Sequence, residues 1–332
     1  MALTLGRSWP AWLSCGGLGL GFCFLANLVG DKGGSLQKVL IISSAVDKSA
    51  ASTAVAVCDF LSIKNVECFV PSEDLARIQA LIEKPIELVE YRGEKVDMAI
   101  VLGGDGSILR AAEVLRDKPA PILGVNLGHV GFMAEAEKDQ LDDVLEKVLA
   151  GEFSVRERTT LNVSVWQGGQ EIFKSWALNE VAVEKSARER MLEVVLEVEK
   201  RPLSSFGCDG VLVSTATGST AYAFSAGGPV VWPNVDAFVV VPISAHALFS
   251  RPFVIDNDSS VAIEILQRSS GGGIMSCDGR RTFELSPGAR VEISRGSQSV
   301  SMVTLSDEPF ADRLVRKFNL PVSGWRGPGS ND

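Results

Sequence analysis

A glycine-rich run joins a predicted buried strand, residues 96–102, to a predicted helix, residues 108–115. The run reads Gly103-Gly104-Asp105-Gly106-Ser107. Glycines allow close approach of the backbone to a ligand, and free amides at the start of a helix favour negative charge. A carboxylate beside phosphate is repulsive unless it faces a hydroxyl or a metal ion. The run predicts phosphoryl transfer to an alcohol. The alternative is a plain turn with Asp105 as helix N-cap.

A second stretch, residues 214–229, is rich in hydroxyls and glycines and carries no charge. It reads Ser214-Thr-Ala-Thr-Gly-Ser-Thr-Ala-Tyr-Ala-Phe-Ser-Ala-Gly-Gly-Pro229. Small hydroxyl side chains suit ribose and phosphate, although an ordinary polar loop is the competing interpretation. The chain has no GxxxxGK[ST] motif, no GxGxxG after a strand and no protein-kinase signature. Phosphates must therefore be bound by another architecture.

The elements that position these runs differ between the two halves of the chain. In the first half, predicted strands at residues 38–43, 67–71, 96–102 and 121–126 alternate with predicted helices at 50–63, 72–82, 108–115 and 138–150. Ser72 is the predicted N-cap of the second helix. This alternation predicts a parallel sheet covered on both faces.

After residue 151 the pattern becomes all-β. Strands are predicted at residues 158–166, 171–184, 191–200, 210–214, 237–242, 260–265 and 289–294, with turn residues between them. One more helix is predicted at residues 309–318, with Arg313, Arg316 and Lys317 on a solvated face. The predicted fold class is thus an α/β N-terminal domain with a parallel sheet, followed by a β-rich C-terminal domain.

Composition restricts the function classes. The 332 residues carry a net charge of -9 and no basic run, which argues against a nucleic-acid partner. The six cysteines form no CxxC pair and no zinc-like cluster, as in a reduced cytoplasmic protein. Residues 9–29 are uncharged and could be a signal core or weak anchor. The favoured alternative is an extension without function, such as an overlong start, so a membrane role is not expected.

Four segments, taken in order, resemble the NAD kinase family. Residues 103–107 resemble its GGDGT/S motif, Asn126-Leu-Gly-His-Val-Gly-Phe132 its NLG–GF segment, Asn179-Glu180 its Asn-Glu/Asp pair, and Thr217-Gly-Ser-Thr-Ala-Tyr222 its TGSTAY core. GGDG alone also occurs in lipid kinases, whereas the whole ordered set is specific. The resemblance implies transfer of a phosphoryl group from ATP, another triphosphate or polyphosphate to the 2′-hydroxyl of NAD's adenosine ribose, which produces NADP.

The resemblance also implies residue roles. Asp105 would be the general base, and the phosphates would lie on Gly103, Gly104, Gly106 and Ser107. The residues implied for NAD are Asp105, Gly106, Arg110, Asn179, Glu180, Arg190, Asp209, Thr220, Ala221, Tyr222, Ala223, Phe224 and Ser225. Arg110, one helical turn beyond the glycine-rich run, would reach a phosphate. A divalent cation, with Mg²⁺ expected, would supply much of the acceleration.

The same resemblance implies two domains with NAD between them. The expected divisions are a leader at residues 1–35, an α/β domain at 36–155, a β-rich NAD-binding domain at 156–305, and a C-terminal helix and tail at 306–332 that return to the first domain. It also implies a dimer or tetramer, for which exposed β-edges would give a route.

The sequence departs from the family pattern at two positions. Ala216 replaces the proline of the usual TPTGST, which removes a rigid φ and loosens the loop while leaving the chemistry intact. At Arg280 some relatives carry glutamine, so a contact there could differ. Two other functions stay open at this point: a lipid or diacylglycerol-type kinase, and a non-catalytic NADP(H)-binding sensor.

Overall fold

The computed structural model describes residues 36–45, 48–82, 86–128, 131–187 and 190–322. The predicted leader, His129 of the NLG–GF segment and the tail beyond residue 322 lie outside the described residues. No helix within these ranges is long and apolar enough to cross a membrane.

The elements of the described ranges are as follows. The strands are β1 Lys38–Ser43, β2 Glu67–Pro71, β3 Leu88–Tyr91, β4 Met98–Leu102, β5 Ile122–Asn126, β6 Ala136–Glu137, β7 Ser154–Arg158, β8 Leu161–Gln167, β9 Gln170–Ala177, β10 Glu180–Lys185, β11 Leu192–Val198, β12 Arg201–Cys208, β13 Gly210–Thr215, β14 Ala237–Ile243, β15 Phe253–Asp256, β16 Val261–Ile265, β17 Gly273–Cys277, β18 Arg281–Leu285, β19 Arg290–Arg295 and β20 Val300–Thr304. The helices are α1 Lys48–Ile63, α2 Ser72–Gln79, α3 Asp105–Val114, α4 Leu141–Leu149, α5 Tyr222–Ser225 and α6 Phe310–Phe318, with 3₁₀ turns at Lys138–Gln140 and Thr217–Thr220.

The first sheet has the strand order β3-β2-β1-β4-β5-β20-β7, and β6 pairs with β5. The strands β1 to β6 and β20 pair in parallel, while β7 runs antiparallel to β20. The chain proceeds outward from β1 in one direction and from β4 in the other. Ligands of open α/β sheets bind outside the carboxyl ends of strands at such a reversal. The glycine-rich run follows β4 at this point.

Helices cover both faces of this sheet, because its central strands are buried runs of Val, Ile and Leu. On one face α1, α2 and α4 pack in a single apolar cluster with the strands. On the other face α3 packs through Ile108, Ala111 and Ala112, and the same cluster contains Leu178 from the second half of the chain. The two halves therefore share a core beside α3.

The second half is a sandwich of two antiparallel sheets. Their orders are β15-β14-β13-β10-β17-β18 and β12-β11-β16-β19-β8-β9. One buried cluster draws residues from both sheets, for example Val181 and Met275 from the first and Leu192 and Val291 from the second. The prediction of a parallel α/β half followed by a β-rich half is confirmed.

The chain returns to the first half at its end. Strand β20 enters the first sheet between β5 and β7, and α6 follows it with Arg313 against Glu135 and Phe310 against Phe132. The predicted domain divisions, with boundaries after residues 155 and 305, stay predictions. Strand β7 spans the first boundary, and β20 precedes the second although it pairs within the first sheet.

Several local predictions were wrong. Ser72 begins α2 instead of capping it, because Pro71 occupies the cap position with φ −57°. Helix α3 begins at Asp105, three residues before the predicted start. The single strand predicted for residues 171–184 is two strands in different sheets, because Leu178 and Asn179 leave the ladder and donate their amides to Asp278. Arg313 is also half-buried rather than solvated, with 12% of its side chain exposed.

The departure at Ala216 gives a stability prediction. Ala216 has φ −57°, follows the extended Thr215, and donates no backbone hydrogen bond to a described residue. Ala216→Pro should therefore raise the free energy of unfolding by about 0.4–1 kcal/mol, because it restricts the unfolded chain. The matched control is Ala226→Pro, which removes the Ala226 amide bond to the Tyr222 carbonyl (2.9 Å) and should destabilise. Denaturant unfolding measures both, and equal effects of the two variants would contradict the prediction.

Candidate active site

The Asp105 carboxylate is held by two backbone amides from the loop after β5. Phe132 N–H donates to Oδ2 at 3.0 Å and Met133 N–H donates to Oδ1 at 3.1 Å. A Cβ at Gly131 would lie 2.5 Å from Oδ1, so only glycine fits there. Each carboxylate oxygen retains a further acceptor position. Asp105 is half-buried, so its carboxylate is not fully enclosed by the protein.

Two different demands explain the glycines around Asp105. Gly103 has φ +155°, and a Cβ there would lie 2.6 Å from the Ser107 hydroxyl and 3.0 Å from Ser44. Packing therefore requires glycine at this position. A Cβ at Gly104 or Gly106 would meet no described protein atom within 4 Å. Internal packing does not require these two glycines, which is consistent with close approach of a ligand to their backbone.

Asn179 and Glu180 are positioned by a residue 98 or more positions away. Asp278 accepts hydrogen bonds from the amides of Leu178 (3.0 Å), Asn179 (2.7 Å) and Glu180 (3.3 Å). Its backbone has φ +54° in a tight turn with Gly279, a conformation that aspartate tolerates. Arg281 neutralises the buried Asp278 carboxylate at 2.9 Å. The Asp278 carboxylate and the three amides that it binds form a cradle, which fixes the backbone at the start of β10.

The two side chains that this cradle presents are buried and incompletely bonded. Asn179 Oδ1 and Glu180 Oε2 have no hydrogen-bond partner among the described residues. Burial, together with the nearby Asp278 charge, raises the pKa of Glu180 to about 7, although the Tyr222 amide acts in the opposite direction. A buried acceptor without a protein partner can accept a hydrogen bond from water or from a bound molecule. Here they are suited to bind donors of a polar ligand.

Only part of the hydroxyl-rich stretch is available to a ligand. Thr215, Gly218 and Ser219 are buried, and Thr215 Oγ1 donates to the Leu178 carbonyl at 2.7 Å. A Cβ at Gly218 would lie 2.1 Å from the Asn179 carbonyl oxygen, so the stretch packs directly on the Asn179 backbone. These residues support the site instead of lining it.

The residues from 220 to 225 are more open, apart from the buried Ala223. Thr220 and Ala221 are half-buried, and Tyr222, Phe224 and Ser225 are exposed. Tyr222 lies along β10, where its hydroxyl donates to Glu184 at 2.7 Å. Burial and this Glu184 contact raise the pKa of Tyr222 to about 12. Its phenol therefore stays protonated and remains a hydrogen-bond donor at neutral pH.

Three predicted site residues make other contacts. Arg110 binds Asp74 and the Ser43 carbonyl near the end of β1. Arg190 is exposed and donates to the Ser270 carbonyl. Asp209 pairs with Lys185 at 2.5 Å, and this contact lowers the pKa of Asp209. The charges of Arg110 and Asp209 are already paired with opposite charges of the protein, whereas Arg190 contacts a neutral carbonyl. The roles of all three residues toward NAD stay predictions.

Contacts between the two halves link the elements that carry the main groups. Phe132, whose amide binds Asp105, lies 5.8 Å from Phe318 of α6, and Phe318 stacks on Phe224 at 4.9 Å between ring centroids. On another side, Glu113 of α3 pairs with Arg281, which in turn holds Asp278. Helix α3, which starts at Asp105, is thereby linked to the cradle that Asp278 forms.

Sequence reasoning missed Asp278 and the backbone of Phe132 and Met133 as supports of the site. The Asp278-Gly279 dipeptide is a strong signal for a hairpin turn and could have located the turn between β17 and β18. Nothing local shows that the carboxylate binds amides a hundred residues earlier. Arg280, the second departure, pairs with Glu113 at 2.9 Å, a charged contact that glutamine would not reproduce.

The described residues contain no cluster of three or more His, Cys, Asp or Glu side chains that could hold a metal ion. Mg²⁺ does not need such a cluster, because it is commonly bound by one or two carboxylates together with substrate phosphates.

Two family models match the chain: the ATP-NAD kinase N-terminal domain over residues 39–153 and the ATP-NAD kinase C-terminal domain over residues 178–305. The NAD kinase of Leifsonia xyli is 52% identical over 301 residues, which cover 89% of this chain and 98% of that protein. The NAD kinase of Corynebacterium diphtheriae is 48% identical over 298 residues, covering 88% and 94%.

Solved structures give the same fold. Yeast NADH kinase complexed with NADH has a TM-score of 0.80 at 22% identity, covering 88% of this chain and 90% of that one. An NAD kinase from Archaeoglobus fulgidus in complex with ATP has a TM-score of 0.64 at 25% identity, covering 86% and 100%. The predicted two-domain architecture is confirmed by these neighbours.

The raised pKa of Glu180 predicts a pH-dependent stability. Between its ordinary pKa of 4.5 and about 7, the folded state retains a proton that the unfolded state has released. The free energy of unfolding therefore falls as pH rises through this window. Glu180→Gln removes that loss, so the stability gain of the variant over the wild type should be roughly 2 kcal/mol larger at pH 8 than at pH 5. Urea unfolding at both pH values checks this, and a pH-independent difference would contradict it.

Proposed function

The chain belongs to the NAD kinase family, and on this basis we propose that it transfers a phosphoryl group to the 2′-hydroxyl of the adenosine ribose of NAD, producing NADP. The observation that carries the proposal is the Asp105 carboxylate, which is oriented by two amides beyond the end of β4. A carboxylate held this way can accept the proton of an alcohol as the alcohol attacks phosphorus.

In the proposed reaction Asp105 is the general base. An unactivated ribose hydroxyl is a weak nucleophile, and a carboxylate is a weak base, so positioning supplies much of the rate. The amides of Phe132 and Met133 fix the carboxylate without neutralising it. The first turn of α3 and the open backbone at Gly104 and Gly106 provide a place for phosphate oxygens.

The second half of the chain would bind the rest of NAD. Asn179 Oδ1 and Glu180 Oε2 are buried acceptors without partners among the described residues, and they would receive hydrogen bonds from NH or OH groups of the dinucleotide. Residues 220–225 would line the adenine and ribose pocket, with Tyr222 and Phe224 exposing aromatic surface. Arg110, Arg190 and Asp209 would have to exchange an existing contact to take part.

We further propose the donor and setting of the reaction. The donor is ATP or a related triphosphate or polyphosphate, and it brings a divalent cation, Mg²⁺, on its phosphates. That cation would neutralise charge on the phosphates, while the residues named above bind and orient NAD.

We also propose that the protein is a cytoplasmic homo-oligomer, a dimer or tetramer. The described cysteines Cys58, Cys68, Cys208 and Cys277 are free thiols, which is consistent with a reducing compartment.

The direct test is NADP formation by the full chain from NAD, ATP and Mg²⁺, followed with an NADP-specific dehydrogenase. Asp105→Asn should lower kcat by roughly 10²–10⁴-fold, because the variant cannot take up the proton. The dissociation constant for NAD should change little. The matched control is Asp117→Asn, an exposed position beyond the end of α3, which should leave kcat within twofold of the wild type.

Other outcomes would assign the chain differently. Turnover of Asp105→Asn within tenfold of the wild type would show that Asp105 is not the base. A folded wild-type protein that binds NAD without making NADP would support a non-catalytic sensor. Failure to bind NAD, together with phosphorylation of diacylglycerol vesicles, would support the lipid-kinase alternative.

A further inference from the structure

Arg313 of α6 inserts into the loop that holds Asp105. One of its guanidinium nitrogens, Nη1, donates to the carbonyl oxygens of Phe132 (3.3 Å) and Ala134 (3.2 Å). The other, Nη2, pairs with Glu135, whose side chain is only 3% exposed. Glu135 also accepts the Leu305 amide at 3.1 Å. Arg313 therefore connects the C-terminal helix to residues 132–135.

The geometry of one peptide unit connects Arg313 to Asp105. The carbonyl of Phe132 accepts from Arg313, and the amide of the same peptide unit, Met133 N–H, donates to Asp105 Oδ1 at 3.1 Å. A peptide unit is planar, so its carbonyl and amide rotate together. A hydrogen bond from a cation to the carbonyl also polarises the amide on the other side. A change at Arg313 must therefore reach the carboxylate through a single rigid group.

We propose that Arg313 is a positioning residue for the Asp105 base, acting through the peptide between Phe132 and Met133. The proposal rests on the proposed function, in which Asp105 accepts the proton of the ribose hydroxyl. Glu135 assists by holding the guanidinium from its buried side. In this role Arg313 acts through the carboxylate, so its effect falls on turnover and not on NAD affinity.

The neighbouring Arg316 provides a matched control. It lies one turn further along α6, its side chain is 48% exposed, and its ion pair is with Glu308. Neutralising it removes one positive charge from the same helix without touching the Phe132 carbonyl. A general effect of charge or helix stability would appear in both variants, whereas positioning of Asp105 would appear only at position 313.

The experiment compares Arg313→Met, Arg313→Lys and Arg316→Met in the full chain. We expect Arg313→Met to lower kcat by about 10–100-fold with KM for NAD within threefold, because small misplacement of a catalytic group has effects of this size. Arg313→Lys should be intermediate, since an ammonium lacks the fork that reaches two carbonyls and a carboxylate. Arg316→Met should stay within twofold of the wild type.

Two further readouts separate positioning from a merely structural role. Hydrogen exchange of the Phe132 and Met133 amides should accelerate at least tenfold in Arg313→Met and be unchanged in Arg316→Met. In an Asp105→Asn background, Arg313→Met should cause no further loss of the residual turnover. If Arg313→Met does not fold, Arg313→Lys carries both tests.

The proposal is overturned if the losses at positions 105 and 313 multiply fully, if amide exchange at residues 132 and 133 is unchanged, or if only KM for NAD rises. Exchange is measured without substrates, so it tests the link from Arg313 to the Asp105 loop even if the wild-type chain forms no NADP. Failure of the proposed function is thereby distinguished from failure of this inference.

Discussion

The arrangement of the site in the first half of the molecule depends on the hydrogen bonds between the Asp105 carboxylate and the amides of Phe132 and Met133. A half-buried carboxylate needs donors, and here they come from a loop that follows the neighbouring strand of the sheet. Adjacent parallel strands β4 and β5 bring the two loops to the same edge. Gly131 is required because a side chain would collide with the carboxylate. The site thus follows from strand order as much as from the motif itself.

In the second half, too, a carboxylate that accepts backbone amides organises the site. Asp278 accepts the amides of residues 178–180 at the point where β9 ends and β10 begins, and these bonds fix the backbone of Asn179 and Glu180. This arrangement is electrostatically unfavourable, because two carboxylates, Asp278 and Glu180, are buried close together with Arg281 as counter-charge. Proteins retain such unfavourable arrangements where function requires them. Glu113, reaching from α3 to Arg281, joins this arrangement to the helix of Asp105.

The features that depend on residues close together in the chain could be predicted from the sequence. Strand–helix alternation predicted the parallel sheet, and the glycine-rich run was placed correctly between a buried strand and a helix. Prediction failed where the hydrogen-bond partners are far apart in the chain. The break of the strand at residues 178–179 depends on Asp278, and the partial burial of Arg313 depends on Glu135, 178 positions away. An arginine on an amphipathic helix looks solvated until its buried acceptor is known. Long-range hydrogen bonds of this kind leave no local signal.

A crystal structure of the wild-type protein with NAD bound and no phosphoryl donor would show directly whether Asp105 faces the hydroxyl that is phosphorylated. We expect the 2′-hydroxyl of the adenosine ribose to lie about 2.6–3.2 Å from a carboxylate oxygen of Asp105, with Asn179 and Glu180 contacting the same dinucleotide. A complex in which the 2′-hydroxyl points away from Asp105, with the carboxylate still bound to the amides of Phe132 and Met133, would contradict it.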